Sequence, residues 1–235
     1  MQYDNIIEGS FISRPNRFLA DVEIDGARQL AHVKNTSRCR ELLTPGAKIY
    51  LQRSADPGRK TGWSLIAVEK DGRIFNIDSQ APNKICIEGI RNGRIVLPGL
   101  AYPVGSVKAE KVHGDSRLDI YIEEQKEQEI IKAYVEVKGV TLEESGIARF
   151  PDAPTERGLK HINELCRIAA GGDLAFIVFI LQMKGSGHFE PNDRMHPEFG
   201  AALRLAAIEG VRILAYDCLV AADGIAADEP VRVVL

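Results

Sequence analysis

The chain has 235 residues, enough for one large domain or two modest ones that each bury a core. Nearly half of its residues are apolar and about a quarter are charged, the balance of a soluble folded chain and not of a disordered one. A formal net charge of −3 excludes a uniformly basic nucleic-acid binder, yet the charge is uneven: residues 1–84 carry a net +3 and residues 85–235 a net −6. The stretch from Arg28 to Lys60 holds eight basic residues opposed only by Glu41 and Asp56. Such a local stripe can attract phosphates, but a solvated face is the reading that charge imbalance alone favours.

The opening residues, MQYDNIIEGS, lack a basic segment followed by an apolar run, so they do not read as a signal peptide. Short strands follow. RFLADVEI (Arg17–Ile24) alternates apolar and polar residues, Asp25–Arg28 is a turn, and Arg28–Val33 continues as the hairpin partner. TPGAKIYLQRS is a turn and a strand, and GWSLIAVEKDGRIFNID is two strands joined at Asp71-Gly72. Five short strands in about eighty residues, separated by Gly and Pro turns, predict a small all-β barrel of the OB type, with an SH3-like barrel as the neighbouring possibility.

From Ser79 the pattern turns helical around Ile85, Cys86 and Ile90, which sets a domain boundary near residue 80 and gives domains of 1–80 and 81–235. A Gly- and Pro-rich loop (Leu97–Gly105), a hairpin across Arg117–Gly139 and a long polar loop from Thr141 to Pro154 come next. Thr155 is a plausible N-cap for a helix with Leu159, Ile162, Leu165 and Ile168 on one face, stopped by Gly171-Gly172. Leu174–Leu181 is a strand apolar on both faces and too short to span a bilayer. A loop, a helix opened by Pro197 and closed by Gly210, and the buried strand VRILAYDCLV complete the chain. Helices alternating with continuous apolar strands predict an α/β domain with a mixed sheet covered on both faces. The four cysteines, Cys39, Cys86, Cys166 and Cys218, form no C-x-x-C pair, which argues for reduced thiols in a cytoplasmic protein and against a zinc site or a disulfide framework.

The charged residues of the hairpin carry the chemistry. Glu136 and Lys138 alternate with Val135 and Val137, so the two charged side chains share one strand face. Pairing about a centre between Glu127 and Gln128 puts Asp119 opposite Glu136, as a neighbour on that face. Two carboxylates so close repel unless a cation lies between them, and Mg²⁺ or Mn²⁺ suits such oxygens. Glu110, just upstream, is a candidate third ligand beside Asp119 and Glu136. With Lys138 as the catalytic amine, Asp119, Glu136 and Lys138 would suit metal-assisted phosphodiester hydrolysis. The competing reading is an exposed charged strand with Asp119 in a salt bridge. Polar residues that follow, among them Asp152, Arg157, Lys160 and His161, can gather at the same sheet edge.

RLD, YVEVKGVTL and FPDAPTERGLKHINEL, with RFLADV, HVKNTSRCRELLTPG and GVRILAY, closely resemble the sugar fermentation stimulation protein A family over nearly the whole chain. The D…E-x-K core resembles the restriction-endonuclease-like superfamily. The resemblance implies an N-terminal OB-like domain and a C-terminal restriction-endonuclease-like domain. It also implies binding to the DNA backbone without sequence preference, with a regulatory link to sugar (maltose) use. No apolar run is long enough to span a bilayer, and no obligate protein partner is inferred. Asp119, Glu136 and Lys138 fall on the nuclease-like motif. Where the family usually reads Asn-Thr-Gly, this chain has Asn35-Thr36-Ser37, and Ser enters a left-handed turn less cheaply than Gly. Arg14, Arg17, Asn35, Thr36 and Arg38 are the candidate phosphate contacts of the barrel, although turn chemistry explains the loop residues equally well. Trp63 and Phe75 could stack bases or fill the barrel core, the core being the reading that a small barrel needs first. The expectation is thus a DNA-binding protein, with a Mg²⁺-dependent nuclease as the alternative and a protein-interaction module last.

Overall fold

The computed structural model describes every residue except Thr36, Pro57, Glu127 and Gln128. Its first part is a closed barrel. Strand β1 (Ile6–Asn16) lies between β2 (Leu19–Ile24) and β4 (Lys48–Arg53), while β3 (Ala27–Val33) and β5 (Trp63–Lys70) close the circle through a parallel pairing of Ala31 with Trp63 and Val33 with Leu65. A sixth strand, β6 (Arg73–Asn76), continues from β5. The two-residue turns Asp25-Gly26 and Asp71-Gly72 have positive φ at both positions, the geometry that matches the twist of a hairpin. Ala20, Val22, Ala31, Val33, Leu51 and Leu65 are fully buried inside the barrel.

The barrel is of the expected OB-like kind, but its membership differs from the strand count made on the sequence. β1 belongs to it and β6 lies outside the closed ring. β1 escapes a pattern reading because its pairing with β2 shifts register after Phe11 and again after Ser13, which breaks the period-two alternation.

Helix α1 (Ala81–Asn92) leads into the second part, a six-stranded mixed sheet in the order β15-β14-β12-β9-β8-β7. These strands are β7 (Ser106–His113), β8 (Ser116–Lys126), β9 (Glu129–Val140), β12 (Leu174–Leu181), β14 (Arg212–Ala221) and β15 (Gly224–Pro230). The central trio β9, β12 and β14 is parallel and the outer pairings are antiparallel. Ala133, Val135 and Val137 of β9 pack with Ile85, Cys86 and Ile90 of α1. Tyr134 and Val140 pack in the other core, with Ile162, Leu165 and Ile168 of α2 (Glu156–Ala170). Thus α1 and α2 cover opposite faces of the sheet. α2 starts where its cap is expected, the Thr155 hydroxyl accepting from Gly158 N–H at 3.0 Å. α3 (Pro197–Ile208) packs beside α2.

The polar stretch from Thr141 to Pro154 is not all loop. β10 (Leu142–Glu144) and β11 (Ile147–Phe150) form a small hairpin, and β11 pairs in parallel with β13 (His188–Pro191). Strands of three and four residues that draw their partners from distant chain give no periodic signal. The two parts are welded by buried polar groups. Gln182 Nε2 donates to Asn76 Oδ1 at 2.9 Å and to the Asp78 carbonyl at 3.0 Å, while within the first part the fully buried Asp78 carboxylate accepts from Lys34 Nζ at 2.8 Å. Residues of the N-terminal stretch also cross over: Gln2 bridges Gly224, and Tyr3 N–H donates to the Asp223 carbonyl.

Candidate active site and basic groove

The hairpin β8–β9 has the register read from its alternation: Ile120 faces Val135, Ile122 faces Ala133 and Lys126 faces Glu129. The centre of that pairing, Glu127 and Gln128, lies outside the described residues. The regular ladder ends at Ile120, one residue before Asp119. There the Asp119 side chain replaces a strand partner. Its Oδ2 accepts from Val137 N–H at 2.9 Å and its Oδ1 from Asn83 Nδ2 on α1 at 2.8 Å. Asp119 therefore bonds to strand β9 and to α1, while Glu136 bonds to His161 of α2. The side chain of Asp119 thus fills the gap that the break in the ladder leaves beside Val137.

Glu136 is buried, and its Oε1 accepts from Lys138 Nζ at 2.5 Å and from Nδ1 of the buried His161. Its other oxygen, Oε2, is buried with no hydrogen-bond partner, a costly state for a carboxylate oxygen away from water. Burial would push the Glu136 carboxyl up, but the His161 hydrogen bond and the Lys138 charge outweigh it and hold the group below its ordinary value. Asp119 goes the other way: burial, then the Glu136 charge, raise its carboxyl. The two carboxylates thus feel each other across the strand pair.

Gly139 is required beside this site, because a Cβ there would stand 2.6 Å from both Gln182 Oε1 and Pro82 Cγ. Glu110 occupies the position across from Asp119 on β7, has a positive φ of 54°, and is skipped by the ladder. Its carboxylate is exposed and lies 3.5 Å from Arg117. It does not join the buried pair, and among the described residues no three Asp, Glu, His or Cys side chains gather as a ready metal-binding group. Two carboxylates suffice for a hard cation that keeps water and substrate oxygens as its other ligands. The orphaned Glu136 Oε2 and Asp119, close enough for their charges to interact, are such a donor set.

His161 and Arg157, named by the sequence only as polar neighbours, enter the site directly. They lie one helical turn apart on α2, and Arg157 Nε donates to His161 Nε2 at 3.5 Å. The signal for this lies in the i, i+4 spacing of ERGLKH, but its meaning depends on which strand α2 covers.

A second feature lies on the barrel. A groove of about 500 Å³ is lined by Arg14, Arg17, Arg38 and Arg40 around an apolar floor that includes Phe11 and Leu43. Among the described residues no acidic side chain lines it, and Arg17, Arg38 and Arg40 form no ion pair. Arg14 behaves differently. Its guanidinium donates to the carbonyls of Ser37, Arg38, Arg17 and Asn35 at 2.5–2.9 Å, so it clasps two loops and has little left to offer a phosphate. Asn35 is buried, and its Oδ1 accepts from Ser37 N–H at 2.8 Å, which is the turn chemistry weighed for it. Thr36 lies outside the described residues. Ser37 is not left-handed; Cys39 is, with φ 45°.

Phe75 is fully buried, and Trp63 packs partly against the core with its Nε1 donating to Gln29. The exposed aromatic near the groove is Phe18, under the Arg17 guanidinium at 4.7 Å from the ring centre. The groove shares Ser37 with a smaller cavity of about 150 Å³ whose lining includes Gly139 and Gln182.

A closed OB-like barrel followed by a mixed sheet with three helices and a D…E-x-K hairpin defines a two-part protein of the OB plus restriction-endonuclease-like class. The comparisons agree. Residues 12–77 match the family described as the SfsA N-terminal OB domain, and residues 80–224 match the sugar fermentation stimulation protein RE domain. The chain is 51% identical over 220 residues to a sugar fermentation stimulation protein homolog of Ruminiclostridium cellulolyticum, covering 94% of this chain and 93% of the relative. It is 49% identical over 235 residues to a homolog of Desulfitobacterium hafniense strain Y51, covering 100% and 99%. The solved structure of Pyrococcus furiosus SfsA in complex with Ca²⁺ superposes with a TM-score of 0.85 at 30% identity, covering 100% of this chain and 98% of that one. The chain belongs to the sugar fermentation stimulation protein family.

Proposed function

We propose that this protein binds DNA through the phosphate backbone, with the barrel groove as its grip and without sequence preference. The observation that carries this reading is the groove itself: three unpaired arginines and no acidic side chain among its described residues. Guanidinium groups held open in this way match phosphate oxygens, and nothing in such contacts reads a base edge. A role in regulating sugar use would act through this binding. The four free cysteines suit the reducing cytoplasm in which such a protein would work. No helix among the described residues is long and apolar enough to cross a membrane. Fluorescence anisotropy with two duplexes of unrelated sequence tests the reading. Equal affinities are expected, falling with salt, and an Arg38→Ala/Arg40→Ala variant should show a salt slope shallower by about 0.9 for each phosphate that it no longer neutralises. Equal salt slopes in the variant and the unaltered protein would sink it.

A second reading, metal-dependent phosphodiester hydrolysis, is favoured by the orphaned Glu136 Oε2 and its coupling to Asp119. The Ca²⁺ complex of the Pyrococcus furiosus relative supports it for a divalent cation. Asp119 and Glu136 would hold Mg²⁺ or Mn²⁺, and such a cation would polarise a phosphate and acidify a water. Lys138, paired with Glu136 and acting on the Asp119 charge, would neutralise charge growing on the phosphate. Calorimetric titration with Mn²⁺ should give a binding isotherm that disappears in Glu136→Gln.

A further inference from the structure

Glu136 has two oxygens in unlike surroundings. Oε1 receives Lys138 Nζ and His161 Nδ1, and Oε2 is buried and unpartnered. An ionised carboxylate only accepts, so the proton between Glu136 and His161 sits on Nδ1. The opposite ring nitrogen, Nε2, faces the Nε–H of Arg157 and therefore presents a lone pair. The partners of both ring nitrogens agree on this tautomer, the long contact from the exposed Arg157 being the weaker of the two. Gly158 lies between these two residues, where a Cβ would stand 3.1 Å from Phe199, so this turn of α2 is pressed close against α3.

We propose that His161 is a positioning residue for a divalent cation: by occupying Oε1 of Glu136 through Nδ1–H, it leaves Oε2 as the oxygen offered to the metal. This rests on the metal reading above. Lys138 alone could not do the same, because its flexible ammonium can move between the two oxygens, whereas a ring fixed on a helix cannot. Partners that orient a metal ligand in this way typically change metal affinity about 10–100-fold when removed.

The chemistry of the ring suggests the test. The amide of an asparagine branches from the carbon that bears Nδ1, so His161→Asn can still donate to Oε1. His161→Gln places its amide one carbon further, near Nε2, and cannot. Calorimetric titration of the full chain with Ca²⁺ alone, paired with thermal melts without metal, compares the unaltered protein with both variants. His161→Gln should bind Ca²⁺ at least tenfold more weakly, and His161→Asn should stay within about threefold of the unaltered protein. If both variants bind as the unaltered protein does and differ only in melting temperature, His161 is merely structural and the inference is wrong. If both lose affinity alike, Nδ1 is not the atom that matters and the inference is also wrong. A lack of Ca²⁺ binding in the unaltered protein would instead remove the metal reading, and this inference with it.

Discussion

The barrel groove and the sheet site handle charge in opposite ways. In the groove, Arg17, Arg38 and Arg40 are exposed and form no ion pair among the described residues, although Glu41, Glu144 and Asp152 line the adjoining cavity that Arg38 and Arg40 share. In the sheet, Glu136 and Lys138 are withdrawn from water and spent largely on each other and on His161. An open cation costs little to keep and waits for a partner that brings its own negative charge. A buried pair costs desolvation and survives only when nearly every donor and acceptor is matched. The one mismatch, Glu136 Oε2, is therefore the informative atom of the site.

The sharpest way to break this comparison is to unpair the sheet site. Glu136→Ala would leave a largely buried ammonium and a buried imidazole without their acceptor, at a cost of about 3–5 kcal/mol. Urea unfolding at pH 7 measures it. The matched change in the groove, Arg38→Ala, should stay within about 0.5 kcal/mol. Similar losses for the two would erase the distinction.

Arg14 sharpens the contrast inside the groove. It lines the same cavity as Arg38 yet clasps four carbonyls, so Arg14→Ala should cost about 2 kcal/mol, as expected when carbonyl acceptors lose their donors. DNA affinity of the folded fraction should fall less than in Arg38→Ala. Phe18, exposed beside Arg17, offers a ring face to an unpaired base. Phe18→Ala should weaken binding of single-stranded DNA by about 1 kcal/mol and leave duplex binding unchanged, read by anisotropy with both forms.

The smallest effect is pH-dependent. Asp119 is raised in the folded protein, so its contribution to stability falls as pH rises from the ordinary Asp range through its folded value. Glu136 is held low, so its contribution is present above the ordinary Glu range and is lost as pH falls through its folded value. Asp119→Asn should therefore melt slightly higher than the unaltered protein at pH 7, and the gain should vanish in acid below the ordinary Asp range. Melts from pH 3 to pH 7 check it; a variant less stable at pH 7 would contradict the assigned burial and repulsion.

Much of this arrangement is legible in the sequence where a period governs it. The register of β8 and β9 follows from alternation about the hairpin centre, and the cap and apolar face of α2 follow from Thr155 and its 3.6-residue stripe. What was hidden depends on groups far along the chain. Asn83 and the Val137 N–H claim the Asp119 oxygens, and neither partner shows in the local pattern. Arg14 reads as a phosphate ligand because four carbonyls that consume it carry no side-chain signature. β1, β10, β11 and β13 are bent or very short, so local pattern cannot mark them. His161 stood in view at i, i+4 from Arg157, but only the packing of α2 on β9 turns that spacing into a contact with Glu136.

The measurement that bears most directly on this division of labour is one incubation of labelled DNA with Mn²⁺, read for both bound and cleaved fractions. It compares the unaltered protein, Arg38→Ala/Arg40→Ala and Lys138→Met. The expected result is weakened binding in the arginine variant and full binding in Lys138→Met, with any cleavage by the unaltered protein abolished in Lys138→Met. Binding weakened equally by both would contradict a grip on the barrel that is separate from chemistry on the sheet.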